Sequence, residues 1–472
     1  MTTAAGTGPA RASDPEPVCV PRGVPAQAGR LDVLSAVPVG GDGRVTDYTM
    51  ASPALGQPHA PALVHVDVLL PLHYDASPGT RYPVLLLLHG HGGDHRDWAD
   101  HHVESLIDAV NPNVIVVMPD GGYDGFYSDW YGTDLDGHNG SVAPGWETFH
   151  LGELLPWVDA TYRTFGTRAG RAIAGLSMGG FGATSYAARH PDLFSAVGTF
   201  SGATDSDLYH PVGAEAQSVA ANAPDRRPPD QCIWGDPVTH DVTWQAHNPT
   251  ELASNLALDP VSVWYGDGVP DPGAGAPAWN PGAGATEAGI AQENQAFVAA
   301  LQASGQHPSV DAYGAGTHDW FYWERDLHQF LRDLPPGFFA GSTPGPSGPF
   351  GYESGETAFS VWGWTFGAKH PASGFTYLMG VTPGGFDVRG SGRLFVLTPL
   401  AYARNMTVTV TDSSSHHTTK VRTFRDAATG RLAFSVELET PHTLDQVMFG
   451  PSGATATFPT VFHVTIGARD RR

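Results

Sequence analysis

The chain has 472 residues, of which 25 are basic and 48 acidic, for a formal net charge of −23. This length exceeds that of a typical single domain, so two domains are expected. The acidic balance argues against nucleic acid or anionic lipid as a partner. Because the sequence has no run of about 18 apolar residues, no membrane span is expected either.

Two features bear on the cellular compartment. Cys19 and Cys232 are the only cysteines, and spacing alone leaves open whether they form a disulfide or remain thiols. Residues 1–6 have neither the charged nor the apolar region of a signal peptide. Either the protein is cytosolic or a leader is missing from this sequence, and of these we expect a secreted or cell-wall-associated protein.

Strand-like and helix-like segments alternate through the first two thirds of the chain. Residues 1–60 are rich in Ala, Gly and Pro and are predicted to be an irregular lead-in. Alternation predicts a strand at 62–70, continuous apolar runs predict buried strands at 82–88 and 113–118, and further strands are predicted at 171–176 and 195–200, with helices at 103–110, 146–162 and 183–189. This alternation predicts a mostly parallel, doubly wound sheet of the α/β class.

A polar, Pro-rich insertion is predicted at 205–255, followed by a strand at 261–265, a helix at 287–304, a strand at 307–313 and a helix at 319–331. The α/β domain is therefore expected to span residues 61–338. Residues 339–350 have the Pro, Gly and Ser content of a linker. Beyond it, alternation with a period of two predicts strands at 356–366, 393–398, 406–411 and 434–439, hence an all-β, sandwich-like domain over 351–472.

The pattern Gly-x-Ser-x-Gly at Gly175, Ser177 and Gly179 lies between a predicted strand and a predicted helix. In that context it is typical of a nucleophile elbow, which presents a serine hydroxyl at a strained turn. A serine hydroxyl needs a neighbouring base to become a nucleophile. His318 follows the last predicted strand, where the histidine of such a triad is expected, and is assigned as general base and acid.

The sequence pattern identifies the triad acid and the oxyanion donors less clearly than the serine and the histidine. Asp267 directly follows the strand at 261–265, and Glu287 opens the next helix. Position alone favours Asp267 as the acid, although it could be a turn residue and Glu287 a partner of the helix dipole. An oxyanion hole is predicted from the backbone N–H groups of Met178 and His91.

A rival hypothesis uses the loop at 89–95 to bind a metal. His89, His91, Asp94 and His95, with His101 and His102 nearby, are similar to the ligand signature of metallo-β-lactamase-type hydrolases. One residue too many separates His91 from Asp94, which would displace the ligands.

Several motifs in a fixed order resemble the putative-esterase family of α/β-hydrolases between about residues 63 and 331, most closely its mycobacterial trehalose mycolyltransferase and esterase D branches. They are Met-Pro-Asp-Gly-Gly (118–122), Phe-Tyr-Ser-Asp-Trp-Tyr (126–131), Trp-Glu-Thr-Phe (146–149), Gly-Leu-Ser-Met-Gly (175–179), Trp-Gly-Asp-Pro (234–237), His-Asn-Pro-Thr (247–250) and Gly-Thr-His-Asp-Trp (316–320). The resemblance implies Glu287 as the acid, with Asp267 in reserve. His89 and Gly92 stand where mycolyltransferases have a sugar-binding aspartate and arginine, which argues against trehalose recognition.

The resulting hypothesis is a serine carboxylesterase with Ser177, Glu287 and His318 as catalytic residues and with no cofactor or metal. Trp130 and Trp320 are expected to line the substrate pocket, with plain core packing as the alternative. The expected partner is an ester of a lipid, a sugar or a polymer. The alternatives are an acyltransferase using the same residues, a metal-dependent hydrolase, and a non-catalytic cell-wall or carbohydrate-binding protein.

Overall fold

The computed structural model describes residues 20–22, 25–57, 60–133, 142–208, 232–273, 275–343, 345, 347–370, 372–403, 405–440, 445–446 and 458–468. Cys19, residues 1–6 and the middle of the predicted insertion, 209–231, lie outside the described residues. Cys232 is buried and disulfide-bonded. Among the described residues, none of the helices combines the length and the apolar character needed to cross a bilayer.

A nine-stranded sheet forms the centre of the first domain, in the order β11-β10-β9-β8-β5-β6-β4-β3-β2. The six strands from β11 to β6 are parallel, and β4, β3 and β2 extend the sheet in antiparallel fashion. The strand bounds are β1 Val20–Pro21, β2 Asp32–Val39, β3 Val45–Gln57, β4 Ala60–Leu69, β5 Val84–Leu88, β6 Ile115–Pro119, β7 Gly132–Thr133, β8 Arg171–Leu176, β9 Val197–Phe200, β10 Val261–Gly266 and β11 Ser309–Gly314, with β1 paired to β7 outside the main sheet.

Helices cover both faces of this sheet, which confirms the predicted α/β-hydrolase fold class. Side chains of α3, α4 and α6 share one buried cluster with one face, and those of α2 and α7 share a second cluster with the other. Parallel strands buried on both faces are expected to be continuously apolar, as β5 and β6 are. The helix bounds are α1 Asp97–Asp100, α2 Val103–Val110, α3 Leu155–Thr161, α4 Met178–Arg189, α5 Asp241–Gln245, α6 Pro281–Ala303 and α7 Trp320–Asp333.

The predicted irregular lead-in is wrong for residues 32–57, which form β2 and β3. All but the last residue of β2 are exposed, so this edge strand lacks the apolar alternation by which a strand is recognised. It is held by pairing with β3, and β3 by pairing with β4 over a long register. Such non-local pairing decides strand formation where local pattern is weak.

The predicted helix at 146–162 is divided into two parts. A π-helix covers Thr148–Leu154, and α3 continues from it with Pro156 in its first turn. Because proline has no N–H group, the α-helical hydrogen bond from residue 156 cannot form, and the wider π-helical turns lie directly before it. Short 3₁₀ helices cover Arg168–Gly170, Glu251–Leu256 and Phe338–Ala340.

The C-terminal domain is a sandwich of two antiparallel sheets around one apolar core, as predicted. The sheets have the orders β12-β15-β16-β22-β18-β19 and β13-β14-β17-β21-β20. The single strand predicted at 356–366 is instead a hairpin of β13 and β14, because Trp362 and Gly363 take positive φ angles and turn the chain. The bounds are β12 Phe350–Ser354, β13 Ala358–Val361, β14 Trp364–Lys369, β15 Thr376–Thr382, β16 Gly385–Arg389, β17 Arg393–Leu397, β18 Met406–Asp412, β19 Thr418–Val421, β20 Phe424–Arg425, β21 Leu432–Glu437 and β22 Phe462–Ala468.

Candidate active site

Ser177 lies at the sharp turn between β8 and α4. Its φ and ψ angles are 52° and −120°, a conformation that costs energy for a residue with a Cβ and that persists only where the surroundings enforce it. The two glycines of the motif permit the turn. A Cβ on Gly175 would lie 2.3 Å from the carbonyl oxygen of Gly179, and one on Gly179 would lie 2.5 Å from backbone oxygens of the β5 end.

His318 lies between β11 and α7 and contacts Glu287 of α6. Its Nδ1 is 2.7 Å from Oε2 of Glu287. The other carboxylate oxygen of Glu287 accepts hydrogen bonds from the Ser201 hydroxyl and the Gly266 N–H, both at 2.7 Å. The structure therefore brings together two residues separated by 31 positions in the sequence.

Glu287 is fully buried, yet its environment favours the charged form. Burial opposes ionisation, but the hydrogen bond and charge of His318, together with the bonds from Gly266 and Ser201, outweigh it and hold the pKa of Glu287 below its usual value. An ionised Glu287 accepts a hydrogen bond from the Nδ1–H group of His318, which leaves Nε2 as the ring nitrogen with a free lone pair.

Ser177 and His318 both line a cavity of about 500 Å³ at the carboxyl end of the sheet. This is where ligands bind in open α/β sheets. Trp320 lies in its wall, with its ring edge-to-face against Trp323 at 5.4 Å, and Trp323 also packs edge-on against the His318 ring. The remaining lining residues are Gly90, His91, Asp97, Phe126, Leu176, Met178, Ala203, Thr286, Ile290, Glu293 and Asp319.

The two predicted oxyanion donors also border this cavity. Met178 is the first residue of α4, so its N–H has no acceptor within the helix. His91 follows β5, and its ring pairs with Asp124 at 2.5 Å. Gly90 brings this loop close to the elbow, since a Cβ there would lie 2.6 Å from the Leu176 side chain.

Two candidate residues lie away from Ser177 and His318. Asp267 is exposed, and its carboxylate accepts the Val269 N–H at 3.0 Å, as a turn residue does. Trp130 is buried, donates its indole N–H to the Gly125 carbonyl, and lines a cavity of about 420 Å³ between the two domains. Neither residue borders the cavity that holds Ser177.

The histidines and aspartate of the rival metal hypothesis do not converge on one point. His89 Nε2 accepts the Gly121 N–H, Asp94 pairs with Arg96, and His91 pairs with Asp124. His101 stacks on Trp320 at 3.8 Å. Asp94 Oδ1 and His95 Nδ1 are 3.8 Å apart, but among the described residues the predicted set does not form a group of three ligands.

Sequence reasoning missed Ser201, which holds Glu287. Ser201 follows β9 with a positive φ of 45°, and its backbone N–H donates to the Trp264 carbonyl at 2.7 Å. A serine after a strand is too common to be noticed, so only the fold reveals its role.

Comparison with known proteins places these features in a family. Residues 60–334 match the model of the family described as putative esterase. The chain is 44% identical over 208 residues to Esterase Rv1288 of Mycobacterium tuberculosis, a match covering 44% of this chain and 43% of that protein. It thus spans less than half the length of that relative.

Other similar proteins carry esterase or acyltransferase names. The diacylglycerol acyltransferase/mycolyltransferase Ag85B of Mycobacterium leprae is 33% identical over 264 residues, covering 54% of this chain and 76% of Ag85B. Among solved structures, a ferulic acid esterase has a TM-score of 0.44 at 26% identity, with 62% of this chain and 98% of that chain covered.

Proposed function

We propose, from the premise that this chain belongs to the putative esterase family, that it is a serine carboxylesterase with Ser177, His318 and Glu287 as its catalytic residues. The family comprises enzymes that act on esters. The observation that supports this assignment most is the bond between His318 and the buried Glu287, beside a serine held at a strained turn in the same cavity.

The first step is attack of the Ser177 hydroxyl on the ester carbonyl. His318 Nε2 accepts the hydroxyl proton as the Oγ–carbon bond forms, and Glu287 stabilises the resulting imidazolium through Nδ1. The oxygen of the carbonyl becomes an anion, and we assign its stabilisation to the N–H groups of Met178 and His91, which both border the cavity. Loss of one such donor typically costs about 10²–10³ in kcat.

The tetrahedral intermediate then collapses to an acyl-enzyme. His318 returns the proton to the leaving alkoxide, so that an alcohol departs and the acyl group stays on Ser177. Water, deprotonated by the same histidine, adds to the acyl carbon; the bond from that carbon to the Ser177 oxygen then breaks, and His318 returns the proton to this oxygen as the carboxylic acid leaves. Trp320 and Trp323 provide apolar walls for the acyl or alcohol group in a cavity of a size that holds one small organic moiety.

An acyltransferase is the second candidate because one similar protein, at 33% identity, is named a diacylglycerol acyltransferase/mycolyltransferase. In this alternative a sugar or glycerol hydroxyl replaces water. His89 is buried and its ring nitrogens contact backbone atoms of Gly90 and Gly121, so it is not placed to bind a sugar. Product analysis with added glycerol or trehalose separates the two: a hydrolase releases mainly free acid, and a transferase mainly a new ester.

Secretion stays part of the proposal. Cys232 is disulfide-bonded, and structural disulfides persist in oxidising compartments. Fractionation of cells producing the natural protein should find it outside the cytoplasm; a purely cytoplasmic protein would contradict this part.

The test of the function is Ser177→Ala, with p-nitrophenyl butyrate as substrate. We expect kcat to fall by about 10⁴ or more, since removal of a triad member leaves only binding and oxyanion stabilisation. His318→Gln should be similarly impaired. Ser105→Ala, which changes an exposed serine of α2, serves as the matched control and should keep wild-type activity.

Covalent labelling gives an independent reading. A fluorophosphonate should label the wild type and Ser105→Ala but not Ser177→Ala. An unlabelled wild type would support the non-catalytic binding protein, and a Ser177→Ala variant that keeps most activity would overturn the proposal.

A further inference from the structure

A second group of histidine and carboxylate side chains lies on the antiparallel edge of the sheet, outside the cavity of Ser177. Asp47 of β3 and Asp67 of β4 are direct cross-strand partners, and His65 is two residues from Asp67 on the same face. The loop after β5 places His95 over them, with its ring stacked on that of His65 at 4.9 Å. We call Asp47, His65, His95 and Asp67 the β3–β4 cluster.

The ligand atoms of this cluster are spaced as around a metal ion. One ligand atom from each of Asp47, His65 and His95 lies within 4.8 Å of the others. His65 Nδ1 and His95 Nε2 are 3.3 and 3.6 Å from the same oxygen of Asp47. Ligands of a tetrahedral zinc with bonds of 2.0–2.1 Å are about 3.4 Å apart, so small shifts would complete the geometry.

Asp67 supplies the independent observation. Its side chain is 1% exposed, and neither carboxylate oxygen accepts a hydrogen bond from any described residue. One of them is 4.0 Å from His95 Nε2, which is itself buried and without a hydrogen bond among the described residues. Buried carboxylates normally have a charge partner or several donors, because removal from water is otherwise costly.

The charged side chains nearest Asp67 are mostly negative, so they do not compensate for the water that a buried carboxylate loses. The charged groups that act on Asp67 include the carboxylates of Asp47 and Asp94, which repel its negative charge. The nearby Arg96 is engaged with Asp94 at 2.6 Å. A cation among these four side chains would satisfy both oxygens of Asp67 and the free nitrogen of His95 together.

We propose that Asp47, His65 and His95 bind a divalent transition-metal ion of the zinc class, with Asp67 as the fourth, buried ligand. Two imidazole nitrogens and two carboxylate oxygens suit zinc, and two carboxylates balance its charge. The His65 side chain is 42% exposed and offers an entry route. The ion would join β3, β4 and the loop after β5, which carries His91 to the cavity of Ser177.

The test uses the full chain without an affinity tag, dialysed against a chelator and titrated with zinc chloride. Metal content after gel filtration and calorimetry report stoichiometry and affinity. We expect one tight equivalent in the wild type and a rise in the unfolding temperature with zinc, as for any ligand of the native state. His65→Gln, a substitution at a partly exposed position, should weaken the site at least about tenfold and remove most of that rise.

His463→Gln is the matched control. His463 also contacts a carboxylate on the neighbouring strand, Asp387 at 2.7 Å. Among the described residues, this pair has no third side chain that would complete a group of metal ligands. The His463→Gln variant should bind zinc as the wild type does. Asp67→Asn should also lose the tight equivalent while keeping the native circular dichroism. A wild type that binds no zinc at micromolar concentration, or equal binding by His65→Gln and His463→Gln, would overturn the site. Ester turnover plays no part in these readouts.

Discussion

Two buried carboxylates of the first domain differ in what surrounds them. Glu287 accepts hydrogen bonds from Ser201 and Gly266 and faces His318. Asp67, in the β3–β4 cluster, accepts none from the described residues, although His95 lies 4.0 Å away. Burial raises the pKa in both cases, but the pKa of Glu287 ends below its usual value and that of Asp67 rises to about 7.

The comparison teaches that depth of burial does not by itself decide the charge of a carboxyl group. Donors directed at the oxygens decide it. A carboxylate with three such donors, like Glu287, stays ionised beside a histidine. One with none, as at Asp67, is completed only by a proton or a cation.

Among the variants that test this comparison, the largest expected effect comes from Glu287→Gln. If the amide oxygen keeps the Ser201 and Gly266 bonds, its NH₂ faces His318 Nδ1 and favours the tautomer that cannot accept the serine proton. We expect kcat for p-nitrophenyl butyrate to fall by about 10²–10⁴. Asp267→Asn, which neutralises the exposed alternative acid outside the cavity, should change kcat less than twofold; equal losses in both variants would refute Glu287 as the acid.

A third buried carboxylate, Glu147, tests the role of a fixed cation. Arg189 and His190 contact it, and Arg189 also reaches Glu356 of the second domain at 3.1 Å. Arg189→Met leaves Glu147 without its arginine and should lower the free energy of unfolding by about 3–5 kcal/mol in urea titrations.

The exposed pair Arg393–Glu437 provides the control for this experiment. Arg393→Met should cost no more than about 1 kcal/mol, because water screens the pair. A similar cost for both variants would mean that burial of Glu147 contributes nothing beyond an ordinary surface ion pair.

A smaller effect, of opposite sign, is expected at the β3–β4 cluster. In metal-free protein at pH 8, Asp67→Asn removes a buried charge that lacks a donor and lets the amide donate to Asp47. We expect about 1–3 kcal/mol of stabilisation by urea unfolding. Asp75→Asn, at an exposed position, should stay within about 0.5 kcal/mol of the wild type. A destabilised Asp67→Asn would show that the charge is compensated after all.

The smallest effect concerns pH. Because the folded-state pKa of Glu287 lies below its unfolded value, its ionisation stabilises the fold above about pH 4–5, and this contribution disappears as pH falls through the folded pKa. The groups facing it are His318, Tyr313 and Asp326. Urea unfolding between pH 6 and pH 3 should show the stability gap between wild type and Glu287→Gln narrowing with acid; a constant gap would contradict the lowered pKa.

Much of the candidate site was predictable from the sequence. The elbow motif depends on contacts between nearby residues, and the expected place of the histidine depends only on the order of strands along the chain. The glycines at 175 and 179 are required by contacts within the turn itself. The apolar runs of β5 and β6 mark strands buried on both faces, and His318 follows the last strand. The choice between Asp267 and Glu287 was different, because position along the chain favoured Asp267 and only the family resemblance pointed to Glu287. The structure places Glu287 Oε2 2.7 Å from His318 Nδ1.

The sequence by itself determined the α/β sheet, the separate β-sandwich and the presentation of Ser177, since these depend on periodicity and on steric limits between nearby residues. Only the tertiary structure decided that Ser201 holds Glu287, that Trp130 lies between the domains, and that residues 32–57 join the sheet. The β3–β4 cluster belongs to the same class. Its side chains come from β3, β4 and the loop after β5. The pairing of β3 with β4 and the fold of that loop bring them together, and no sequence motif marks this contact.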